Sequence, residues 1–174
     1  ATPIPRTLTM TIYGDMDISI IREKPKNRKP IKTYSKLEEK IDDVLKFINK
    51  QIKLGSQIFW VCPLIEESKK LDHSSAIKKF EYLKQKFPNQ VCLLHGKTNI
   101  EEKNEILNNF LKNKFKILVS TTIIEVGIDF PNANVIIIEN ANKFGLSQLH
   151  QLRGRVGRGN KESTCILMFK SNLS

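Results

Sequence analysis

At 174 residues and 40% hydrophobic content, the chain is large enough to bury one substantial core, and a single domain of ordinary size is predicted. Lys and Arg number 29 against 18 Asp and Glu, a net charge of +11. That balance favours a polyanionic partner such as nucleic acid or nucleotide, although a lysine-rich surface serving solubility has the same balance.

The amino-terminal residues 1–34 combine Pro3, Pro5, Pro25 and Pro30 with a basic run, REKPKNRKPIK from Arg22 to Lys32. Proline spacing there forbids regular helix, so these residues are predicted to form an extended arm. Its positive residues suit either a nucleic-acid path or a solvated linker. Residues 35–174 form the predicted domain. Ser35 is a plausible N-cap for a helix bearing Leu37, Ile41, Val44, Leu45, Ile48 and Ile52 and ending at Gly55. A strand follows at Gln57 to Cys62, then a helix opened by Ser74 or Ser75 and stopped by Pro88. A second strand runs from Gln90 to Leu94. Asn99 with Glu102 three residues on is a capping-box variant that opens a helix carrying Ile106, Leu107, Phe110 and Leu111. Further strands are read at Lys116 to Ser120, Val135 to Glu139 and Thr164 to Phe169. Ser147 caps a helix bearing Leu149 and Leu152.

The strand candidates are near-continuous apolar runs and not alternating ones, as in parallel sheets covered by helices on both faces. The recurring β-α-β order predicts an α/β fold, a three-layer α/β/α domain with a mainly parallel central sheet and active loops at the carboxyl ends of the strands. Cys62, Cys92 and Cys165 lie far apart inside apolar runs and form no CxxC pair. They are expected as buried hydrophobes in a reducing, cytoplasmic compartment, with no metal site. No apolar run approaches the ~18 residues of a membrane helix, and no signal-peptide pattern opens the chain.

Candidate chemistry falls on loops between strands and helices, where backbone amides and helix dipoles hold phosphate. Thr121 and Thr122 follow a strand and offer hydroxyls to a phosphodiester. Gly127 allows backbone to approach a ligand, and Asp129 accepts from ribose hydroxyls. An N-capping threonine and an ordinary Gly-Ile-Asp turn would read the same way. His95 and Gly96 suit either a nucleic-acid backbone contact or a plain strand end. The segment QLRGRVGRG, from Gln151 to Gly159, sets Arg153, Arg155 and Arg158 among Gly154, Gly157 and Gly159, which are poor helix formers. Arg155 and Arg158 on such a loop suit the reach of a guanidinium to a nucleotide phosphate held by a neighbouring domain.

ATPIPRT (Ala1 to Thr7), VCPLIEES (Val61 to Ser68), LLHGK (Leu93 to Lys97), TTIIEVGID (Thr121 to Asp129) and FGLSQLHQLRGRVGRG (Phe144 to Gly159) resemble, in order, motifs III, IV, IVa, V and VI of superfamily 2 helicases. VCPLIEES and YGDMDISII, from Tyr13 to Ile21, are similar to the RecG family of ATP-dependent DNA helicases. The transcription-repair coupling factor is similar in motifs III, V and VI and departs from VCPLIEES.

The RecG resemblance implies a second RecA-like motor domain of a helicase or translocase that acts on branched DNA, such as stalled forks and Holliday junctions, in recombination and repair. It implies ATP with Mg2+, held mainly by a first RecA-like domain, with Arg155 and Arg158 facing the γ-phosphate, Gln151 helping to sense it, and Gly127 and Asp129 touching the nucleotide. Pro63, His95, Gly96, Thr121 and Thr122 match positions along the DNA backbone. The partners implied are DNA and the amino-terminal RecA-like and wedge domains of a parent chain, with no membrane. The departures are the absence of GxxxxGK[ST] and of a DExx motif, together with a motif III that lacks its leading residue at Ala1. These predict a fragment inactive by itself. Two other classes remain: a passive nucleic-acid-binding module, and a stand-alone α/β protein with unrelated small-molecule chemistry.

Overall fold

A computed structural model describes residues 29–62, 69–121 and 129–171. In chain order the elements are β1 (Ile31–Leu37), a 3-10 turn (Glu38–Lys40), α1 (Ile41–Lys53), β2 (Gln57–Val61), α2 (Lys69–Lys86), β3 (Val91–Leu94), α3 (Ile100–Leu111), β4 (Ile117–Ser120), β5 (Ala133–Ile138), a second 3-10 turn (Ala141–Lys143), α4 (Leu146–Arg153) and β6 (Ser163–Phe169). The strands form one six-stranded sheet in the order β1-β6-β5-β2-β4-β3. Every pairing is parallel, so all strands leave at one rim, the carboxyl rim, and enter at the other.

The apolar runs divide by alternate residues between two cores. Ile58 and Trp60 of β2, Ile117 and Val119 of β4, and Val135 and Ile137 of β5 pack with Val44 and Ile48 of α1 and Leu83 of α2. Phe59, Val61, Leu118, Ile136 and Ile138 turn to the other face, against Leu107 and Phe110 of α3 and Leu152 of α4. This two-sided burial is why the central strands lack polar alternation, and it bears out the three-layer expectation. On the α3 face, Phe59, Phe110 and Phe130 form a ring cluster with centroids 5.4–5.6 Å apart. Beside it the buried Gln57 amide donates to the carbonyls of Phe110, at 2.7 Å, and Phe115, at 2.8 Å. The Gln57 amide thereby joins the end of α3 to the segment that leads into β4.

The local signals hold where a side chain or φ angle decides them. Asn99 Oδ1 accepts from the Glu102 N–H at 2.8 Å and opens α3. Gly55, at φ +87°, ends α1, and Pro88 stands two residues beyond Lys86, the last residue of α2. Three expected helix starts are corrected. Ser35 lies inside β1, and α1 begins at Ile41 with Lys40 at the N-cap. Ser74 and Ser75 lie within α2, which is already helical at Lys69. Gly145, not Ser147, is the N-cap of α4, its N–H bonded to the Gln148 side chain at 3.1 Å.

The strand β1 was not anticipated from the sequence. It pairs along its whole length with β6, so residues 31–34, assigned to the arm, belong to the sheet and the expected boundary at 34/35 cuts a strand. The remainder of the arm, residues 1–28, lies outside the described residues.

The cysteines are free and buried, as expected. Burial holds the Cys92 thiol up at about 12 and the Cys165 thiol at about 11, from an ordinary 9.0. Below pH 9 both thiols are protonated in folded and unfolded chains alike, and their contribution to stability is complete. Above it the unfolded chain releases its protons first, so that contribution is lost as pH climbs towards 11 and 12. The urea midpoint of unfolding is therefore expected to fall above pH 9, and Cys165→Ala to flatten part of that fall. An identical pH slope in the variant would contradict the assignment.

Candidate nucleotide and nucleic-acid faces

The arginine loop is set by how α4 ends. Gly154, the C-cap, donates to the His150 carbonyl, and the Arg155 N–H donates to that of Leu152 at 3.0 Å. Val156 is then buried, and Gly157 turns the chain at φ +79°, where an L side chain is strained. A Cβ at Gly157 would also stand 3.1 Å from Ile31 Cγ1, at the start of β1, and one at Gly159 would stand 2.8 Å from the Pro131 carbonyl oxygen, just before β5. Packing and backbone geometry thus account for these two glycines, and they clamp the loop against the entry ends of β1, β5 and β6.

This placement corrects the expectation that all active loops gather at the carboxyl rim. Arg155, Arg158 and Asp129 come together at the amino rim, because α4 runs back along the sheet before its loop begins. There Arg155 Nε is buried with no hydrogen-bond partner. Burial first, and then the positive charge of Arg158, lowers the Arg155 pKa. Arg158 Nε lies 3.9 Å from Asp129 Oδ1, with the Asp129 side chain 61% exposed. An exposed pair at that distance contributes little, ~0–1 kcal/mol. Two arginines are therefore set on one loop with a single loose carboxylate beside Arg158, an arrangement whose like-charge repulsion an anion would relieve. The third arginine is engaged elsewhere, since Arg153 Nη1 donates to Thr33 Oγ1 at 3.4 Å and ties α4 to β1. Gln151 is exposed in the last turn of α4.

The carboxyl rim holds the other group. The Thr121 N–H donates to the Leu94 carbonyl at 3.2 Å and joins the exits of β3 and β4. Thr121 is buried and its hydroxyl has no hydrogen-bond partner. Next to it, the His95 N–H donates to Thr98 Oγ1 and the Lys97 N–H to His95 Nδ1, both at 3.2 Å. This turn leaves Gly96 and Lys97 exposed. With Nδ1 accepting, a neutral His95 ring carries its proton on Nε2. Pro63, Thr122 and Gly127 lie outside the described residues.

A cluster missed by the sequence reading sits where β2 and β5 leave the sheet. The Glu139 carboxylate accepts from Trp60 Nε1 at 2.9 Å and from Cys62 Sγ at 3.5 Å, and it pairs with Lys79 Nζ at 3.0 Å. Lys79 also lies 5.5 Å over the Trp60 ring and 5.3 Å over Tyr82. Burial, and then the Glu139 charge, pushes the Cys62 thiol well up. An acidic residue closing the apolar run VIIIE was the available signal. Among the described residues, no group of His, Cys, Asp and Glu is arranged to hold a metal ion, and no helix is long and apolar enough to cross a membrane.

Known proteins resemble this chain over most of its length. Residues 39–160 match the model of the helicase conserved C-terminal domain. The chain is 51% identical over 170 residues to the ATP-dependent DNA helicase RecG of Bacillus subtilis, covering 97% of this chain and 25% of that protein. It is 52% identical over 174 residues to RecG of Aquifex aeolicus, covering 99% of this chain and 22% of that protein. A solved structure of RecG bound to a three-way DNA junction superposes with a TM-score of 0.80 at 43% identity, over 98% of this chain and 22% of that one. The chain thus spans about a quarter of the length of these curated relatives.

Gly159→Ala tests the clamp on the arginine loop. With backbone only 2.8 Å away, the added methyl is expected to cost about 1–3 kcal/mol, as overpacking does, read as a lower urea midpoint. An unchanged midpoint would show that the loop is not held there.

Proposed function

The chain belongs to the helicase conserved C-terminal domain family, and from that premise we propose that it is the second motor domain of a RecG-type ATP-dependent DNA helicase acting on branched DNA. The observation that carries this reading is Arg155, half-buried with its Nε shielded and without a hydrogen-bond partner, on a loop clamped to the amino rim that also carries Arg158.

In this reading Arg155 and Arg158 are arginine fingers. They reach across a cleft to the γ-phosphate of an ATP held mainly by an amino-terminal RecA-like domain of the same parent chain. Charge developing on the transferred phosphoryl group is met by donors already in place, an effect worth roughly 10³–10⁵ in rate in other NTPases. Asp129 stands beside Arg158, placed to accept from the ribose and to release that arginine as it does so. Gln151 and Gly127 touch the same nucleotide. Mg2+, held with ATP by the other domain, would supply neutralisation of phosphate charge.

The carboxyl rim grips DNA through His95, Gly96 and Thr121, and Pro63 and Thr122, next in sequence to Cys62 and Thr121, join them in this reading. The exposure of Gly96 and Lys97 at the His95 turn supports that role. Because the two faces lie at opposite ends of the sheet, closing the cleft on ATP moves the DNA grip as one rigid unit, and opening after hydrolysis returns it. The wedge domain of the parent chain would hold the branch point while this happens.

In the full-length protein, Arg155→Ala and Arg158→Ala are each expected to lower DNA-stimulated ATP hydrolysis at least a thousandfold while DNA binding persists. Near-normal turnover in both variants would overturn the assignment. The isolated chain should neither hydrolyse ATP nor bind it tightly, so micromolar affinity by calorimetry would contradict a site shared between domains.

A further inference from the structure

The sheet has a crevice that the motif positions do not include. Neighbouring strands β2 and β5 are followed by helices that pack on opposite faces of the sheet, α2 and α4. In open α/β sheets such a switch point is where ligands bind. Beside it, on the face covered by α1 and α2, lies a cleft of about 510 Å³ lined by Ser75, Lys78, Lys79, Tyr82, Asn140 and Lys170, among others. Its floor is the Lys79–Glu139 pair, anchored by Trp60 and Cys62. Glu139 is already satisfied by three donors, and its charge is matched by Lys79.

The mouth is different in character. Lys78 and Lys170 are exposed there, and among the described residues neither forms an ion pair. Ser75 and Asn140 add neutral donors, with Asn140 held at φ +46°. Glu38 is the one acidic side chain at the rim of the cleft not engaged by the floor. The mouth therefore carries an excess of positive charge together with hydroxyl and amide groups, the donor set that meets phosphodiester oxygens.

Its position fits a single track. From β4, which leads into Thr121, to β6, which leads into Lys170, is three strand spacings along the sheet, or roughly 14 Å. One strand of a DNA duplex presents a phosphate every ~3.4 Å of axis, so this span covers about four phosphates. We propose that the crevice is a further DNA site, in which Lys78 and Lys170 hold the phosphodiester backbone beyond the contacts made at His95, Gly96 and Thr121. The proposal rests on the DNA-motor reading above and extends its grip across the switch point.

The test uses the full-length protein and a branched DNA of fixed sequence, with affinity measured over a range of salt concentrations. Each phosphate contact contributes about 0.9 to the slope of log affinity against log salt. The double variant Lys78→Ala with Lys170→Ala should therefore flatten that slope by about 1.8. Lys112→Ala with Lys114→Ala removes the same charge from the turn between α3 and β4, at the amino rim, and should leave the slope as it was. An unaltered slope in the crevice variant, or an equal change in both variants, would overturn the proposal while leaving the motor reading intact. Absence of DNA-stimulated ATPase in the unsubstituted protein would overturn the motor reading, and the crevice with it.

Discussion

Parallel pairing of six strands, with the central ones buried on both faces, is the constraint from which the rest of the molecule follows. It forces every connection to cross from the carboxyl rim to the amino rim, so residues near in sequence are sorted to opposite ends of the sheet. Thr121 and Asp129 are an example: eight positions apart, one sits where β4 leaves and the other just ahead of the entry to β5. A strand of five or six residues is roughly 17–20 Å long, and that is the distance a rigid sheet puts between the proposed nucleotide and DNA faces. The sheet itself can then act as the lever between them, without any bending of the domain.

The two faces use charge in different ways. At the amino rim, Arg155 and Arg158 are fixed by a loop whose glycines permit close packing against Pro131 and Ile31, so little conformational freedom is left to lose when an anion arrives. The arrangement carries a standing electrostatic cost, seen in the lowered Arg155 pKa, which a phosphate would remove. At the carboxyl rim, the buried charge is already neutralised. Glu139 and Lys79 form a pair that need not stabilise the fold overall. It does hold the exit of β2 and the middle of α2 in one geometry, and those elements bracket residues 63–68.

Much of this could be read from the residues in order. Runs such as QIFWVC and KILVS announce doubly covered strands because two-sided burial leaves no place for polar alternation. Asn99, Gly55 and Pro88 mark helix ends because each acts through its own side chain or φ angle on the adjacent backbone. The caps that were misplaced, at Ser35, Ser74 or Ser75, and Ser147, are serines that satisfy a local rule while the surrounding structure supplies another start.

What the amino-acid order determined by itself was the set of buried strands, the helix stops and the loop of glycines and arginines, since these depend on composition and on neighbours a few positions away. Only the tertiary structure decided that IKTYSKL is a strand, for β1 is an edge open on both faces and owes its conformation to pairing with β6, over a hundred residues later. It alone decided that the arginines lie at the amino rim beside Asp129, and that Trp60, Cys62, Lys79 and Glu139 meet. Those outcomes depend on chain direction and on contacts between distant segments, which no local pattern encodes.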